Sequence, residues 1–91
     1  MANPNYDAIE RIFTDLLGSI STEFSEEELQ EIREFLDATE YGLALQTFID
    51  VVVEEQKRIP HHAVSLCEEL ARLMDITHEV DLQAMRNAIT S

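Results

Sequence analysis

The stretch from Glu40 to Glu55 holds no proline and no lysine or arginine, and its apolar pattern constrains the rest of the chain more than any other segment does. Wound at about 100° per residue, it spreads Tyr41, Ala44, Leu45, Phe48, Ile49, Val51, Val52 and Val53 over an arc of roughly 200°, wider than a surface helix needs. Such a helix must be contacted from several sides. The valine triplet is β-branched, yet it sits in helical register with neither glycine nor proline at its edges, so the segment predicts a central helix and not a strand. The remaining arc carries Leu43, Gln46, Thr47, Asp50 and Glu54, a narrow acidic strip that has to face solvent or a partner.

The flanking segments supply helices to cover it. Asn3-Pro4-Asn5 predicts a helix start, and Tyr6, Ile9, Ile12, Phe13, Leu16, Leu17 and Ile20 follow at helical spacing, with Gly18 as the expected stop. Ser25 and Glu28 form a capping box for the second helix, Phe24 and Leu29 a hydrophobic staple, and Leu29, Ile32, Phe35 and Leu36 its apolar stripe. Asp37-Ala38-Thr39 is short enough to force an antiparallel hairpin with the central helix. That helix is expected to run to about Arg58, because Pro60 turns Ile59 away from helical angles and starts the next helix itself. The fourth helix packs through Val64, Leu66, Cys67, Leu70, Ala71, Leu73 and Met74. A weaker fifth begins after Thr77 and uses Leu82, Met85 and Ile89, with Val80 near its start. The expected fold class is all-α, a small bundle of four helices plus a short C-terminal fifth, in a single domain spanning 1–91.

Composition narrows what such a bundle can do. Six lysines and arginines against 19 aspartates and glutamates leave a net charge of −13. That charge repels nucleic acid and anionic membrane surfaces and speeds encounter with a basic macromolecule. A hydrophobic content of 45% rules against a disordered acidic tail. No apolar run approaches the roughly 20 residues of a membrane span. A single cysteine, Cys67, forms no internal disulfide, and no leader-like segment opens the chain, so the expected location is the reducing cytoplasm.

Catalytic and metal chemistry find little support in the pattern. His61, His62 and His78 are the only histidines, and the positions one turn beyond His61 and His62 are Ser65 and Leu66, so no helical ligand pair exists there. Cys67 lies on an apolar arc and reads as a small core residue. No segment alternates acidic residues ahead of a glycine as a calcium loop requires. Asp15-Leu16-Leu17-Gly18-Ser19-Ile20 partly resembles the Asp-Ser-Leu site of acyl carrier proteins, but glycine precedes Ser19 and the serine follows a helix. The expectation is a protein without enzymatic activity, metal or cofactor.

The positive signal is an organised acidic surface. Glu27, Glu31 and Glu34 share the face of the second helix opposite its apolar stripe, with Gln30, Asp37 and Glu23 alongside and Glu40 just past its end. Asp50 and Glu54 stand one turn apart on the central helix. The hairpin can bring both outward faces to one side, with Tyr41 and Leu43 as apolar contacts. Like charges at Glu27/Glu31 and Asp50/Glu54 cost a few tenths of a kcal/mol each, and few lysines offset them. Uncompensated repulsion of this kind suits a surface shaped for a basic partner.

The run Phe24-Ser25-Glu26-Glu27-Glu28-Leu29, the segment Ile32 to Asp37, then Glu40-Tyr41-Gly42-Leu43-Ala44-Leu45, Ile59-Pro60 and Leu70-Ala71-Arg72-Leu73-Met74 together resemble MafI-type immunity proteins of bacterial polymorphic toxin and contact-dependent growth inhibition systems. The resemblance covers about residues 10–76. It implies a cytosolic antidote that binds the basic C-terminal domain of a cognate toxin, an RNase or DNase, as a monomer in a 1:1 complex. The toxin-binding residues expected from the acidic surface are then Glu27, Glu31, Glu34, Asp37, Glu40, Tyr41, Leu43, Asp50 and Glu54. The alternative is a tetratricopeptide-like adaptor, because Glu40-Tyr41-Gly42 to Phe48 also looks like the helix junction of such a unit.

Overall fold

The computed structural model describes residues 6–78 and 80–87, and these form five helices in the order α1 (Tyr6–Ser19), α2 (Glu26–Asp37), α3 (Tyr41–Glu54), α4 (His61–Leu73) and α5 (Leu82–Asn87). No strand occurs among the described residues, and the all-α bundle of four helices with a short fifth is the architecture. Asn3, Pro4, Asn5 and Ile89, which entered the sequence reading, lie outside the described residues.

Helix α3 packs against α2, α4 and α5, and α1 lies on α4. The wide apolar arc is thus used from several sides: Tyr41, Ala44, Leu45, Phe48, Ile49 and Val52 are buried in one cluster with Ile9, Phe13 and Leu16 of α1 and Cys67 and Leu70 of α4. Val53, at the margin of that arc, is 45% exposed instead, because its edge of the helix is the one left uncovered. The α2 stripe divides as expected, with Leu29 and Ile32 buried and Phe35 and Leu36 partly so.

The capping box forms as the sequence dictates. The Glu28 backbone N–H donates to Ser25 Oγ at 3.1 Å, and the Ser25 N–H donates to Glu28 Oε1 at 2.8 Å. Phe24 and Leu29, the staple pair, are both buried. Asp81 caps α5 in the same manner, accepting from the Ala84 N–H at 3.0 Å.

Helix ends depart from the expected pattern. Gly18 does not stop α1, which continues to Ser19, and no glycine has positive φ. Helix α3 ends at Glu54, four residues short of Arg58, and Pro60 is the N-cap of α4 instead of its first helical residue. The reversals fall on Thr39 (φ 57°), Gln56 (φ 53°) and Asp75 (φ 57°), all in the left-handed region. Each carries the same paired closure. Glu40 N–H reaches Phe35 O at 2.8 Å, Lys57 N–H reaches Val52 O at 2.9 Å, and Ile76 N–H reaches Ala71 O at 2.9 Å, the last carbonyls of each helix thereby gaining donors.

Candidate functional site

The acidic face of α2 is built by its own periodicity. Leu29 and Ile32 turn inward, so Glu26, Glu27, Gln30, Glu31 and Glu34 turn outward and line one shallow surface. From Glu23 to Glu40 the chain carries eight carboxylates and one cation, Arg33. Among the described residues only Glu28 of these eight is in an ion pair, with Lys57 Nζ 3.1 Å from its Oε1. The same oxygen accepts the Ser25 N–H, and this hydrogen bond first, then Lys57, holds the Glu28 carboxyl below the usual range.

Lys57 is fixed on its other side as well. Its ammonium stands 5.7 Å from the Phe24 ring centroid, and Phe24 stacks on Phe48 at 5.0 Å. The start of α2 and the end of α3 are thereby tied through one cation. Two further ion pairs, Arg86 to Glu68 at 2.8 Å and Arg72 to Glu69, belong to the α4 and α5 side.

Eight of the nine expected contact residues are exposed, in four separate places. Glu27, Glu31 and Glu34 share the α2 face. Glu40 and Leu43 line a groove with Gly42, Gln46, Ile76 and Val80, between the start of α3 and the segment leading to α5. Asp50 and Glu54 are exposed further along α3, and Asp37 is exposed at the end of α2. No groove among the described residues holds all nine.

Tyr41 is not the surface anchor that its sequence position suggested. It is 6% exposed, its ring lies 5.5 Å from that of Tyr6, and its hydroxyl donates to Glu10 Oε2 at 2.5 Å. That hydrogen bond, with burial and the Glu10 charge behind it, pushes the phenol up to about 12. The helix-start tyrosine was therefore claimed by α1, a contact 31 residues away that no local pattern announces. Val53 is the residue that sequence reasoning missed: its place at the edge of the apolar arc was the only signal that it is exposed.

Cys67 is fully buried, and desolvation raises its thiol far above the usual value, so it is held as the neutral thiol. No group of three or more histidine, cysteine, aspartate or glutamate side chains among the described residues gathers to hold a metal ion, and no helix there is long and apolar enough to cross a membrane. What the exposed surface of the described residues offers chemically is mainly fixed negative charge, with three large apolar side chains, Tyr6, Leu43 and Val53, open to solvent.

Comparison with family models, with curated proteins and with solved structures finds no match. The likeness to MafI-type immunity proteins accordingly rests on the residues quoted for it.

Proposed function

We propose that this protein is an immunity-type inhibitor that works in the cytoplasm by binding the basic domain of a toxin, an RNase or DNase, and covering the cationic surface with which that domain holds its substrate. The observation that carries the reading is the exposed and unpaired state of Glu26, Glu27, Glu31 and Glu34 on one helix face. Four carboxylates around one face, with no ion pair to them among the described residues, repel one another in the free protein and are relieved when a polycation arrives. The inhibitor needs no chemistry of its own, since occupancy of the cleft is sufficient. A net charge of −13 on each copy opposes self-association, which favours a monomer binding 1:1.

The experiment is retention from a bacterial lysate on the immobilised chain at low and moderate salt, followed by kinetics with the retained species. The expected outcome is a basic C-terminal toxin domain whose nuclease activity falls to zero at one equivalent and whose association rate drops as ionic strength rises. Retention only of neutral proteins, with association indifferent to salt, would remove the basis of the proposal.

A further inference from the structure

Negative charge and exposed apolar surface coincide on one strip of α3. Leu43 is 44% and Val53 45% exposed, two of only three large hydrophobic side chains so open among the described residues, and the third, Tyr6, stands beside Tyr41. Between them Gln46 and Asp50 face out, and Glu40 and Glu54 flank the ends. Leu43 and Val53 are ten residues apart, hence about 15 Å along the axis and about 80° apart around it, so a helix seated on both crosses α3 obliquely. Beside Leu43 the backbone of Gly42 is approached by Ile76, whose Cδ1 lies 3.9 Å from where a Cβ would stand, so this end of the strip borders a groove lined by Leu43, Ile76 and Val80 together with Glu40 and Gln46.

The α2 face differs in kind. It exposes carboxylates and an amide but no large apolar side chain, so it attracts at a distance and offers nothing to hold once water is expelled. The α3 strip offers both.

We propose that the α3 strip is the docking surface, and that its occupant is a cationic amphipathic helix of a protein partner. Such a helix lays two apolar residues about three turns apart on Leu43 and Val53 and sets its flanking lysines or arginines against Glu40, Asp50 and Glu54. Charge decides between occupants. From Glu40 to Glu55 the chain has four carboxylates and no lysine or arginine, and of the two cations that share a groove with Val53, Lys57 is already paired with Glu28 and only Arg58 is left, so a second copy would still set mainly like charge against like charge, whereas a basic helix neutralises it. The inference rests on the acidic-surface reading above and narrows it from the whole hairpin to one strip, leaving α2 the role of steering.

The test is an NMR titration of the isotope-labelled full chain with a designed lysine and leucine peptide of helical amphipathic pattern. A scrambled peptide of the same composition serves as control, each at low and physiological ionic strength. The expected amide shifts centre on Leu43, Gln46, Asp50 and Val53, and the scrambled peptide binds at least about tenfold more weakly. A Leu43→Ser/Val53→Ser variant, both positions being exposed, keeps its helical circular dichroism and loses at least about tenfold in affinity. Shifts centred on Glu27, Glu31 and Glu34, with the double variant binding normally, would overturn the inference while leaving the acidic-surface reading standing. If neither peptide binds saturably at low ionic strength, both fall together.

Discussion

The hydroxyl of Tyr41, at the first position of α3, donates a 2.5 Å hydrogen bond to the Glu10 carboxylate on α1. The bond is made only by the neutral phenol, which is why the folded value rises from 10.0 to about 12. A raised folded value means that this contribution is complete below the unfolded value near 10 and is lost as pH climbs through about 12. Stability measured by denaturant midpoint should therefore fall between pH 10 and 12, and a Tyr41→Phe variant should start lower at neutral pH but show a flatter alkaline limb. An alkaline limb of unchanged slope in Tyr41→Phe would mean that another group governs it.

Glu28 governs part of the opposite limb. Its carboxyl sits below the ordinary 4.5 because the ionised form accepts the Ser25 N–H and faces Lys57. The folded state thus binds the proton less readily than the unfolded chain, so the contribution is complete above 4.5 and fades as pH falls through the lower folded value. Glu28→Gln keeps a side-chain acceptor for the capping box and removes the charge, so its loss of stability from neutral to acid pH should be smaller than in the parent. Ser25→Ala, which removes the hydroxyl cap, should cost about 1 kcal/mol near neutral pH and less in acid, because the Ser25 hydroxyl also helps hold the Glu28 carboxyl low.

Three helices turn back through left-handed residues that are not glycine: Thr39, Gln56 and Asp75. A side chain there costs about 1–2 kcal/mol, of which glycine returns a part to the unfolded chain as entropy. Thr39→Gly should give the largest gain, about 0.5–1 kcal/mol, because threonine is β-branched, even though the Thr39 hydroxyl bond to Ala38 O is lost. Chemical denaturation of the three single variants checks the ordering.

Stability and binding should oppose each other on α2. Glu31→Lys replaces the repulsion with Glu27 one turn earlier by an attraction of favourable orientation, and should raise stability by about 0.5 kcal/mol. The same variant should slow association with a basic partner, with the difference from the parent shrinking as salt is added. Parallel thermal melts and stopped-flow association report the two effects separately.

The parts of the fold that were legible in the sequence are those written in short-range chemistry. Ser25 and Glu28 are three residues apart and make a cap whatever surrounds them, and the inward spacing of Leu29 and Ile32 sets the outward face of α2 without reference to other helices. Where the outcome depended on the bundle, local pattern was silent. Val53 is as apolar as Val52, yet one faces solvent and the other the core, because the neighbours of α3 leave that edge open. Tyr41 looked like a surface anchor until α1 supplied a carboxylate. The end of α3 was unreadable for a further reason: Gln56 occupies a turn position that glycine would have announced, so the expected limit moved to the nearest proline.

Helix α1 packs on α4 across an intervening chain that includes the whole α2 and α3 hairpin. The hairpin is joined by a three-residue turn and closes at little entropic cost, whereas bringing Ile9 and Phe13 to Leu70 requires ordering both ends of the molecule at once. Folding should therefore be limited by this distant closure: conservative truncations on the α1 and α4 surfaces lower the folding rate, while those between α2 and α3 act less on that rate, as chevron kinetics would resolve. A chain emerging from the ribosome would carry its acidic hairpin complete, with Tyr41 to engage Tyr6 and Glu10 of the first helix, before α4 offered that helix its main packing surface.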